Sequence, residues 1–116
     1  MSNKLPLSTH VLDTTVGQPG KNMKIKLFKS KDNYWASSST SFVTDENGRF
    51  GEFLKIDDEV CGTYKLKFEV EEYFKSQEKE CLYPFVEIVF KISSSNEHYH
   101  IPLIITPYSY STYRGS

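Results

Sequence analysis

Cysteine is almost missing from this 116-residue chain: only Cys61 and Cys81 carry thiols, and neither belongs to a CxxC pair. That excludes a disulfide scaffold or a cysteine-built zinc module, and both thiols are expected to stay reduced. Arginine is scarce too. Of 14 basic residues only Arg49 and Arg114 are arginines. Set against 15 acids they leave a net charge of −1, so there is no basic excess for phosphates and no nucleic-acid partner is expected. No apolar run approaches the roughly 18 residues of a bilayer-crossing helix, and no membrane partner is expected either. Residues 1–10 lack the apolar centre of a secretory signal, and no N-x-S/T sequon occurs. The expected location is the cytoplasm, with the peroxisome as the alternative, although Arg114-Gly115-Ser116 is not an SKL-type address. What is present, 38% apolar and 15% aromatic residues, is enough for one globular domain over residues 1–116 that buries about two thirds of its surface.

Alternation with a period of two dominates the chain, as antiparallel strands with one wet face require. Strands are expected over Leu7–Asp13, Met23–Lys29, Tyr34–Thr44, Phe50–Ile56, Tyr64–Val70, Phe85–Ile92, His98–Thr106 and Tyr108–Tyr113. Gly17, Pro19 and Gly20 break the first interval, and Asp45-Glu46-Asn47-Gly48 carries the Asn-Gly signal of a tight turn, expected to join two strands as a hairpin. Glu71–Glu80 does not alternate and pairs Glu71 with Lys75 four positions on, so one short surface helix is expected there. The fold class is an all-β, two-sheet antiparallel sandwich with that single helix.

Unusual chemistry gathers on two of these strands. In His98-Tyr99-His100-Ile101-Pro102-Leu103-Ile104-Ile105 the set Tyr99, Ile101, Leu103 and Ile105 forms the core face. His98, His100, Pro102 and Ile104 therefore face outward, and their partly apolar surface suggests a covered one. Likewise Leu7, Thr9 and Val11 face inward, while Ser8, His10 and Leu12 face outward. Three readings of the histidines stand side by side. They are solvated or structural; or His98, His100 and His10 ligate zinc or copper, with no clear fourth ligand; or a neutral histidine is a general base with Arg49 as anion holder. Nucleophilic catalysis by serine is disfavoured because no GxSxG elbow occurs. The end of the chain, Tyr108 to Ser116, reads by composition as a plain edge strand with a frayed tail.

Three stretches change that weighing. Leu7-Ser8-Thr9-His10-Val11-Leu12-Asp13-Thr14 with Gly17 and Pro19, then Asp45-Glu46-Asn47-Gly48-Arg49, and then the ending HYHIPLIITPYSYSTYRGS together resemble the 5-hydroxyisourate hydrolases, the transthyretin-related proteins of purine degradation. The likeness spans the chain, and its most specific parts are HYHIPL and Tyr113-Arg114-Gly115-Ser116. The resemblance implies a transthyretin-like sandwich, a homotetramer built as a dimer of dimers, and active sites in a central channel where the dimers meet. It implies His10, Arg49 and His100 as catalytic positions, which with Ser116 and Tyr113 also bind substrate, and leaves His98 as an uncertain extra. It further implies hydrolysis of the N1–C6 amide of 5-hydroxyisourate by water, without metal or organic cofactor. His100, aided by His10, would take the water proton, and Arg49 would hold the oxyanion. A small-molecule carrier of flat aromatic ligands on the same fold is the rival from another class, and a metal-binding module is the third. The Ser- and aromatic-rich stretch Tyr34–Phe42 and the acids Asp57, Asp58 and Glu59 depart from the family pattern.

Overall fold

In the computed structural model, which describes residues 5–38, 40–55 and 60–115, the long alternating runs are strands. They are β1 (Leu7–Asp13), β3 (Lys24–Lys31), β7 (Gly62–Phe68), β8 (Val86–Ile92) and β9 (Tyr99–Thr106). Shorter pieces complete the set: β2 (Gln18–Pro19), β4 (Tyr34–Ser37), β5 (Phe42–Val43), β6 (Arg49–Phe50) and β10 (Ser109–Thr112). One sheet runs β10-β9-β1-β2, with β6 also pairing β1, and the other runs β4-β3-β7-β8, with β5 also pairing β3. All ladders are antiparallel except β1 with β9, which is parallel from Leu7 opposite Tyr99 to Asp13 opposite Ile105.

The inward residues of each long strand meet between the sheets. Leu7, Val11, Tyr99, Ile101, Leu103 and Ile105 pack toward Ile25, Leu27, Tyr64, Leu66, Phe68, Val86 and Ile88, all buried. Each such side chain is worth roughly 1.5–3 kcal/mol of transfer free energy, so the register that buries them is strongly fixed. Thr9, on the same inward side, satisfies its hydroxyl by donating to the Ile101 carbonyl at 2.6 Å. The rings of Phe42, Phe50 and Phe53 close one end, with centroids 4.7 to 5.0 Å apart.

The Asn-Gly turn is real, but it does not close the expected hairpin. β5 before it pairs with β3 in one sheet, and β6 after it pairs with β1 in the other, so the turn carries the chain across the sandwich. One contact ties it to β1 and another closes the turn on itself. Val11 donates its N–H to the Gly48 carbonyl at 2.7 Å, and the Asp45 carboxylate accepts the N–H groups of Asn47 and Arg49 at 2.8 and 3.0 Å. Consequently β6 is only two residues long where Phe50–Ile56 was expected, and Ile56 lies outside the described residues. Tyr34–Thr44 splits into β4 and β5, which stay in one sheet and pair with different parts of β3 in registers two residues apart.

Helix α1 (Val70–Lys75) is shorter than the expected span to Glu80. It ends because Lys79 turns its N–H back to the Phe74 carbonyl at 3.0 Å and Glu78 adopts φ +60, a left-handed conformation that does not continue a helix. Val70, Tyr73 and Phe74 bury its inner side. Tyr73 donates to the fully buried Asp13 carboxylate at 2.8 Å. Burial first, with the Asp13 contacts adding to it, pushes its phenol up to about 12. Cys61 and Cys81 are both free. No helix among the described residues is long and apolar enough to cross a membrane.

Candidate active site

The parallel β1–β9 register sets Ser8 beside His100 and His10 beside Pro102, all on the outward side of the first sheet. β6 then pairs Arg49 opposite His10. Three elements distant in sequence thus bring His10, Arg49 and His100 to one face. Ser8, Thr9, Asp45, Arg49, Phe50, Gly51, His98 and His100 line an open cleft of about 370 Å³ there.

His100 is gripped on two sides. Its Nδ1 lies 2.7 Å from the Ser8 hydroxyl, and its backbone carbonyl accepts the Gly115 N–H at 2.8 Å. This bridge continues the β9–β10 register beyond β10. A Cβ at Gly115 would sit 2.5 Å from the His100 Cδ2 atom, so only glycine lets the tail lie against the ring. The frayed-tail reading therefore does not hold up to Gly115. His98 precedes β9 and stacks with His100, the centroids 6.4 Å apart. Its Nε2 is 2.8 Å from the same Ser8 hydroxyl, and its Nδ1 is 2.5 Å from the Leu5 carbonyl.

Burial first, and neighbouring charge after it, set the protonation of this group. Burial chiefly, then His98, His10 and Arg49 around it, hold His100 below the ordinary 6.5. His10 is lowered as well, by burial and then Arg49, against the opposing pull of an Asn47 backbone hydrogen bond and of Asp45. Asp45 itself lies below its ordinary value because the Arg49 N–H binds its carboxylate, helped by the Asn47 N–H and the charges of Arg49 and His10. The result is neutral imidazoles, able to accept protons, next to a guanidinium.

The remaining expected positions are placed as follows. Tyr113 is 55% exposed and does not line the cleft. Ser116 lies outside the described residues. Arg114 turns away to Glu97 at 3.1 Å and over the Tyr99 ring at 4.2 Å, which clasps the tail onto β9. Among the described residues no group of three or more His, Cys, Asp or Glu side chains is arranged to hold a metal ion. Ser8, Asp45 and Gly115 are contributors that residue types alone did not single out. For Ser8 the only signal was that it shares His10's side of the strand.

Residues 7–115 match the family described as HIUase/Transthyretin. The chain is 41% identical over 113 residues to 5-hydroxyisourate hydrolase of Mus musculus, covering 96% of this chain and 95% of that one. It is 38% identical over 110 residues to the protein of the same name from Salmonella typhi, covering 95% and 80%. Among solved structures, Klebsiella pneumoniae 5-hydroxyisourate hydrolase superposes with a TM-score of 0.78 at 31% identity, covering 95% and 98%. Sea bream transthyretin in complex with thyroxine superposes at 0.88 and 25% identity, covering 95% and 94%. With the transthyretin-like sandwich, the outward His and Arg face and a match over nearly its whole length, the chain belongs to the HIUase/Transthyretin family.

Proposed function

We propose that this protein hydrolyses 5-hydroxyisourate at its N1–C6 amide to give 2-oxo-4-hydroxy-4-carboxy-5-ureidoimidazoline. The observation that carries the reading is the meeting of His10, Arg49 and His100 on one outward face, in a chain whose relatives bear the name of that activity. His100 takes a proton from water as the oxygen attacks C6. Arg49 holds the planar substrate and the oxyanion that develops on the C6 oxygen. His10 assists from the adjacent strand. Collapse breaks C6–N1, and the proton held by His100 passes to N1, so water is consumed and the base is restored. The chemistry balances without metal or organic cofactor. Ser116 also binds substrate, whereas Tyr113 stands outside the cleft of its own protomer, and the site is enclosed when a second dimer covers the face in a homotetramer.

The rival reading is a carrier of a flat aromatic ligand, favoured by the close superposition on a thyroxine-bound transthyretin. The higher identity to the hydrolases weighs against it. Ultraviolet absorbance of freshly generated 5-hydroxyisourate decides between them. Faster decay with the protein present supports the hydrolase; decay at the spontaneous rate, with saturable ligand binding by folded protein, supports the carrier.

A further inference from the structure

The hydrogen bonds around Ser8 leave only one arrangement of protons when both histidine rings are neutral. The Leu5 carbonyl can only accept, so His98 Nδ1, 2.5 Å away, must carry a hydrogen. The other nitrogen of a neutral ring is then an acceptor, and the Ser8 hydroxyl, 2.8 Å from His98 Nε2, donates to it. With its own proton committed, the Ser8 oxygen accepts from His100 Nδ1 at 2.7 Å. His100 is therefore protonated on Nδ1, and Nε2 is its one basic nitrogen. A free histidine ring prefers the opposite tautomer, so the chain from Leu5 through His98 and Ser8 reverses the default.

We infer that Ser8 and His98 are positioning residues that lock His100 into the Nδ1-protonated tautomer, leaving Nε2 bare to accept the water proton. The inference rests on the hydrolase reading for what the bare nitrogen does, but the tautomer itself does not depend on it. The relay moves no proton during turnover: after Nε2 is protonated, Nδ1 still donates to Ser8. His98, His10 and Arg49 bear electrostatically on the ring, and Asp45 lines the same cleft. None of them supplies the Nδ1 acceptor that Ser8 supplies. The relay also gives His98 a task that needs no metal, since both its ring nitrogens are already engaged.

Long-range 1H–15N NMR of histidine-labelled, substrate-free protein above pH 7 reads the state of each ring nitrogen directly. The expected spectrum shows His98 and His100 both protonated on Nδ1. In Ser8→Ala the His100 proton moves in part to Nε2, and kcat falls about tenfold with KM within about twofold. Ser8→Thr, which keeps a hydroxyl, restores both readouts. His98→Phe cuts the relay at its other end and is expected to loosen the His100 tautomer in the same way, which covers the case of a Ser8→Ala chain that does not fold. A wild-type His100 protonated on Nε2 overturns the proposal, as does a folded Ser8→Ala protein with unaltered tautomer and kcat. A correct tautomer in a protein that leaves 5-hydroxyisourate untouched sinks the hydrolase reading and spares the relay.

Discussion

His100 and His10 lie in one electrostatic environment, and its direction makes a prediction. Both are lowered from 6.5, by burial first in each case, so both are neutral at pH 7 and protonate only in more acidic solution. A base must be neutral to act, and kcat/KM should be level near pH 7 and fall only at pH below the ordinary 6.5, as the lowered group takes its proton. A profile flat down to pH 5 contradicts a titrating histidine. Stability has the same sign. The unfolded chain binds these protons more readily than the folded one, so the histidines' contribution is present above the unfolded value of 6.5 and is lost as pH falls through the folded values. Of the site, His10, Arg49 and His100 were legible in the sequence because short motifs mark them. The Ser8 bridge was not, because it depends on a parallel register between residues 92 apart in the chain.

At the scale of elements, what could be read was what local alternation controls. Leu7–Asp13 is the strand expected, residue for residue, and Phe85–Ile92 differs by one residue. What could not be read was partner choice. The Asn-Gly turn looks locally like a hairpin, yet the Gly48 carbonyl and Val11 N–H commit it to the opposite sheet. That crossing is what carries Arg49 to His10. Gly48 has φ +75, and a Cβ there would lie 2.4 Å from the Val11 carbonyl oxygen, which is backbone and cannot swing aside. Gly48→Ala is therefore expected to destabilise the protein by about 2–3 kcal/mol. It should also move Arg49 off the His10 register, so that turnover falls even at temperatures where the chain is folded. Thermal unfolding and activity of this one variant check both parts; an unshifted Tm contradicts the account of the turn.

The two outer faces of the molecule differ in kind. On the β3–β7 side lysines lie over aromatic rings, Lys65 across Phe28 and Trp35 at 4.9 and 4.7 Å and Lys67 across Phe85 at 4.5 Å, which suits a wet face. On the β1–β9 side Leu12, Pro102 and Ile104 flank the histidines, with Pro102 buried and Leu12 and Ile104 half-buried. An apolar face that also holds titratable groups gains an enclosed site by being covered. Ile104→Glu should therefore give a smaller species by sedimentation, with the circular dichroism of the intact sandwich and little turnover. A fully active dimer contradicts the link between assembly and chemistry.

The central claim, that this face hydrolyses 5-hydroxyisourate with His100 as base, is tested most directly by following the ultraviolet decay of fresh substrate with wild-type and His100→Asn protein side by side. The account predicts strong acceleration by the wild type and, in a variant that keeps its fold, a loss of at least about a hundredfold. Equal acceleration by the two proteins would contradict it.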